Sequence, residues 1–105
     1  MDLAFIHEAQ NSPEIAEILR VLREDTDQKR DSFARQIVFA DLALLWVAVA
    51  DAVGPAPQDS SHLELLSIAR LGSASCLTAS SRPGAQEVSA CADHLAKFIN
   101  AKVAP

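Results

Sequence analysis

The side chains best suited to chemistry lie in the last third of the chain. Cys91-Ala92-Asp93-His94 sets a thiol and an imidazole one helical turn apart, and Cys76 precedes them across a turn. A thiol whose proton passes to a nearby histidine is a nucleophile, but no spacing couples either cysteine to His94, or to His7 and His62 further upstream. A structural zinc ion could draw on Cys76, Cys91 and His94, yet needs a fourth protein ligand that the spacing does not supply. A di-iron bundle centre uses Glu-x-x-His pairs, and the sequence contains none. Glycine-rich phosphate loops, nucleophile elbows and paired-carboxylate motifs are also missing. The expectation is a protein that is not an enzyme, with no catalytic residue, no cofactor and no metal. Cys76 lies seven residues before Pro83 and Cys91 eight after it, which sets the thiols at one height in a helical hairpin. A disulfide there would contribute about 3 kcal/mol by loop closure. In a reducing compartment the same pair simply fills a close helix contact.

The elements that must position these residues are helical. In 105 residues there are three glycines, no tyrosine and five aromatic residues, and the β-branched residues never alternate with polar ones as strands require. One domain spanning residues 1–105 is expected, burying about 60 to 70% of its unfolded surface. Fourteen acids against nine bases give a net charge of −5, which argues against tracking nucleic-acid phosphates. The one basic concentration, Arg20, Arg23, Lys29, Arg30 and Arg35, is interleaved with Glu24, Asp25, Asp27 and Asp31, as on a solvated helix laced with ion pairs. Met1 to Glu8 lacks a signal-peptide run. Ile37–Val53 is shorter than the roughly 20 residues a membrane span needs and holds Asp41 and Asp51. A cytoplasmic protein with no membrane contact is expected.

Residues 3–10 form a short helix. Ser12 and Pro13 then cap and open the next one, with Ile15, Ile18, Leu19 and Leu22 on one face. The polar stretch from Arg23 to Ser32 places a break near Asp25 to Asp27. Gly54-Pro55-Ala56-Pro57 stops the central helix. Ser61 and Glu64 form a capping box for the fourth, which carries the small-residue run Gly72-Ser73-Ala74-Ser75-Cys76. Arg82-Pro83-Gly84 turns the chain into a last helix with Val88, Cys91, Ala92, Leu95 and Ile99 on one face, ending near Val103. The predicted architecture is all-α: a small antiparallel bundle of four main helices with a short N-terminal helix.

The central helix, Phe33 to Val53, is apolar on two opposite faces. Phe33, Ile37, Ala40, Leu44 and Val47 fall within about 40° of one line and are expected to face the core. Phe39, Leu42, Trp46, Val49 and Val53 lie roughly 120 to 200° away. Either other helices of the chain cover this second set or a partner does. Its change from polar Gln28, Asp31 and Arg35 to apolar at Phe39 has the composition of an interface core with a polar rim. Phe39, Leu42, Trp46, Val49 and Val53 are therefore the expected protein interface, with Trp46 as anchor and a two-fold homodimer as the simplest partner.

In size, acidity and helical pattern, with Phe39, Leu42 and Trp46 in Ile37–Val53 followed by the Ser61 to Val103 hairpin, the chain resembles the small bacterial anti-activators that bind LuxR-type quorum-sensing receptors and block their dimerisation. The resemblance implies inhibition of a transcriptional activator by occlusion and assigns no role to a particular residue. A toxin-neutralising immunity or antitoxin protein is the alternative, using the acidic exterior.

Overall fold

The computed structural model describes residues 1–24, 32–55, 59–81 and 84–103, and side chains of the third helix from Ile37 onward. These residues form five helices: α1 (Leu3–Gln10), α2 (Pro13–Glu24), α3 (Ser32–Val53), α4 (Ser60–Ser81) and α5 (Ala85–Asn100). No strand occurs among them, so the chain is all-α, as its composition indicates. The expected break near Asp25 to Asp27 and the Arg82-Pro83 part of the last turn lie outside the described residues.

Local chemistry sets the helix ends. Asp2 caps α1 by accepting the Phe5 N–H at 3.1 Å. Ser12 caps α2, its hydroxyl oxygen accepting the Ile15 N–H at 3.4 Å, and Pro13 is the first helical residue. Gly54 ends α3 at φ +88°, a conformation that glycine adopts without Cβ strain. The start of α4 differs from expectation. Its capping side chain is Asp59, not Ser61: the Asp59 carboxylate accepts the Ser61 N–H at 2.7 Å and the Ser61 hydroxyl at 2.8 Å. A carboxylate two residues upstream satisfies the same orphan donors and adds charge at the positive end of the helix dipole. Helix α5 stops at Asn100 because Ala101 is extended, three residues short of the expected end.

Helix α4 is the centre of the molecule, flanked by α3 and α5, with α2 packed on α5 and α1 touching α3 and α5. The neighbours run antiparallel. Ala40 and Ala43 of α3 lie level with Leu77 and Ser80 of α4, and Ala50 and Gly54 with Leu66 and Arg70. Three hydrogen bonds tie α1 into place: Asp2 N–H to Ala52 C=O at 2.7 Å, and Gln10 Nε2 to the carbonyls of Phe98 at 2.9 Å and Ala101 at 2.8 Å. These last two fasten Gln10 to the end of α5, where the Phe98 carbonyl also accepts the Ala101 N–H at 3.3 Å.

The core is built around Trp46 of α3, which meets Phe98 of α5 edge to face with centroids 5.7 Å apart and planes at 88°, the favoured arrangement for aromatic quadrupoles. Ile6, Leu42, Leu65 and Leu95 are buried around them. Gly72 of α4 makes this possible, because a Cβ there would run into the Trp46 indole. The small-residue run on α4 thus receives an aromatic ring.

Candidate functional site

Helix α3 buries one of its two apolar faces and leaves the other in water. Phe39, Leu42, Trp46, Val49 and Val53 are each 4% exposed or less, whereas Ile37 is 48% exposed, Val47 56% and Leu44 69%. Ala40 is exposed as well. This reverses the expected roles of the two faces: the five residues read as a partner interface belong to the chain's own core, and the stripe read as core-facing is the outer surface. The physical reason is size. The inner set holds the only tryptophan of the chain, and its ring, seated against Gly72, buries more apolar surface than any side chain of the outer stripe could. The Phe33 side chain and the polar rim at Gln28, Asp31 and Arg35 lie outside the described side chains.

The outer stripe continues onto α4. Ala40 and Ala43 share a shallow cavity of about 140 Å³ with Leu77 and Ser80, and Leu77 is itself 69% exposed. Ile37, Ala40, Leu44 and Val47 recur at intervals of three, four and three residues, the spacing of a seam that takes knobs from another helix. Alanines 43 and 50 flank it on the α4 side. Asp41 and Asp51 are exposed beside and beyond it. Leu77 is the member of this surface that the sequence alone did not indicate, and the signal for it was Gly72: once Trp46 is assigned to that glycine, the opposite side of α4 must face outward.

The candidate chemical residues divide into two separate pairs. Cys76 and Cys91 are free and buried and lie beside each other across the α4–α5 contact, with the Trp46 indole near Cys76. While its neighbour Cys76 is shifted down, the Cys91 thiol is pushed well above its usual range, first by its interaction with Cys76 and second by burial. It is therefore a protonated thiol at neutral pH rather than an ionised nucleophile. His94 is directed elsewhere, with Nδ1 2.8 Å from Ser75 Oγ. Ser75 Oγ also donates to the Leu71 carbonyl at 3.0 Å. A hydroxyl has one proton, so with that bond made it accepts from His94 Nδ1–H. This polarity is opposite to the one a histidine uses to activate a serine. The pair lines an open groove of about 360 Å³ with Leu71, Thr78, Glu87 and Ala90.

His7 is exposed. His62, in the first turn of α4, is half-buried, and its Nε2 is buried without a hydrogen-bond partner among the described residues. Among the described residues no group of three His, Cys, Asp or Glu side chains is placed to hold a metal ion, and no helix is long and apolar enough to cross a membrane. Of the basic cluster, Arg20 pairs with Glu17 and Glu24 on α2.

Comparison with known proteins finds no matching family model, no matching curated protein and no matching solved structure.

Proposed function

We propose that this chain is a non-enzymatic, cytoplasmic binding protein whose working surface is the outer stripe of α3, and that it inhibits a regulatory protein by occupying a helix which that protein uses to assemble. The observation that carries the reading is the solvent-facing run Ile37, Ala40, Leu44 and Val47, continued by Leu77. Isolated apolar side chains on a surface are ordinary, but a row at helix-pairing spacing presents a groove for an apolar helix face. Because α3 is already folded and held by α4, docking incurs little ordering cost. The flanking acids leave the apolar centre clear and disfavour acidic partners.

The finer form of the proposal takes a LuxR-type transcriptional activator as the target, held apart from its own dimer partner. The test is a reporter driven by such an activator, with its inducer present and the chain co-expressed. Output is expected to fall with the wild-type chain and to recover with Leu44→Asp, at equal levels of both proteins. An unchanged output with the wild-type chain, or equal inhibition by Leu44→Asp, overturns the proposal.

A further inference from the structure

We infer that Cys76 and Cys91 form a peroxide-reactive site: hydrogen peroxide entering between α3 and α4 oxidises Cys76, and Cys91 then closes a reversible disulfide across the α4–α5 contact. The inference does not depend on what the outer stripe of α3 binds.

Register brings the two sulfurs together. Ser75 Oγ of α4 and His94 Nδ1 of α5 meet at 2.8 Å, and on the buried side of that pair Cys76 lies beside Cys91. The same antiparallel register sets Gly72 level with Leu95 and Ala79 level with Val88, all four buried. A disulfide needs Cα atoms about 4.4–6.8 Å apart. Helices come that close where small residues such as Gly72, Ala79 and Ala92 line the contact. Both thiols are free, so the bond is there to be made.

Access separates the two cysteines. Each is 2% exposed, but Cys76 also lines the shallow cavity of about 140 Å³ between α3 and α4, with Ala43 and Leu77 at its sides. Cys91 stands behind it on α5. A water molecule needs roughly 10–15 Å³ of such space, so the cavity admits hydrogen peroxide, one oxygen larger, and is too small for a tripeptide disulfide. The acidities follow the same order. Beside Cys91 the Cys76 thiol is shifted toward ionisation, with burial opposing and the Trp46 indole assisting, whereas Cys91 keeps its proton. The thiolate is the attacking form.

The chemistry balances with peroxide as the sole oxidant. The Cys76 sulfur attacks one peroxide oxygen, the S–O bond forms, the O–O bond breaks, and the departing hydroxide takes the thiol proton and leaves as water. Cys76 is then a sulfenic acid, oxidised by two electrons, and the peroxide is reduced. The Cys91 sulfur next attacks the Cys76 sulfur. The S–S bond forms as the S–O bond breaks, and the Cys91 proton leaves with the hydroxide as a second water. Two thiols and one hydrogen peroxide become one disulfide and two waters. In a reducing compartment such a bond is transient, as sensing disulfides are, and a thiol reductant restores the pair.

The test is graded hydrogen peroxide added to the reduced, folded chain, followed by intact mass and by counting free thiols after denaturation. The wild type is expected to lose both thiols and the mass of two hydrogens, to regain them with dithiothreitol, and to lose Trp46 emission as the bond forms beside the ring. Cys91→Ala is expected to stop at a Cys76 sulfenic acid that dimedone traps, and Cys76→Ala to react many-fold more slowly. Ala43→Leu, which fills the cavity and leaves both thiols in place, is expected to slow oxidation several-fold, with circular dichroism showing each variant folded. A wild type that keeps both thiols at peroxide levels that oxidise free cysteine, disulfides formed only between chains, or oxidation no faster than urea unfolds the chain overturns the inference. Oxidation of Cys76→Ala or Ala43→Leu at the wild-type rate does the same. The wild-type and Ala43→Leu results decide the matter even where a cysteine variant fails to fold.

Discussion

The two faces of α3 differ little in hydrophobicity and entirely in fate. The inner face holds Phe39, Leu42, Trp46, Val49 and Val53 in the core, and the outer face holds Ile37, Ala40, Leu44 and Val47 in water. The lesson is that a neighbour's shape decides which of two apolar stripes is buried. Gly72 on α4 accepts one indole ring, and once that ring is seated the helix has no freedom to rotate. The face left outside is then available for association at no cost to the fold.

The largest effect is expected on the inner face. Trp46→Ala removes the ring that joins α3, α4 and α5, and large aromatic truncations of this kind cost about 3–5 kcal/mol, a large part of the stability of a small domain. Chemical denaturation should show a sharply lowered midpoint or no folded baseline. A midpoint near that of the wild type would mean that Trp46 does not set the orientation of α3. Next in size, Gly72→Ala pushes a methyl group into the indole ring and should cost about 1–3 kcal/mol, with a shifted Trp46 emission. Both features failing together would undo the comparison.

On the outer face the sign of the argument changes. Val47→Asp should alter monomer stability by no more than about 0.5 kcal/mol, as surface substitutions do, while abolishing association. Trp46 sharpens the same contrast without any substitution, because it is the only tryptophan. Its emission should be blue-shifted and poorly quenched by acrylamide even in solutions dilute enough to hold single chains, and strong quenching there would place it on the association surface.

The smallest effect is expected at the start of α4. Hydrogen bonds from the Ser61 N–H and hydroxyl hold the Asp59 carboxyl below its ordinary range. A depressed carboxyl contributes stability that is present above its unfolded value and lost as pH falls through the folded one. Asp59→Ala should therefore lower the melting temperature slightly at neutral pH, and the difference from wild type should vanish in acid. A difference that persists in acid would show that the capping carboxylate is not its source.

Most of the fold was legible because its signals are local. Ser12-Pro13, Gly54-Pro55 and the absence of strand patterns depend on a few adjacent residues, and the structure reproduces the elements they imply. The exchange of Asp59 for Ser61 as cap shows the ordinary limit of such signals, since neighbouring side chains compete for the same donors. The facing of α3 was not legible from periodicity, because two stripes of similar hydrophobicity carry no information about which one a neighbour will accept. That information is in Gly72, 26 positions further along the chain, and is read only by matching a missing Cβ to the largest side chain. The separation of Cys91 from His94 has a related reason: residues one turn apart share a side of α5, but Cys91 lies beside Cys76 while His94 reaches Ser75 at the groove edge.

Two leucines two positions apart test the account most directly, because one belongs to each face. Thermal unfolding of Leu42→Asp and Leu44→Asp, measured side by side in dilute solution, compares a charge placed in the core with one placed in water. Leu42→Asp is expected to abolish the cooperative transition, since an unpaired carboxylate in the core is among the costliest of substitutions, and Leu44→Asp is expected to melt as the wild type does. The opposite pattern, a folded Leu42→Asp and an unfolded Leu44→Asp, would put the binding surface on the other side of the helix.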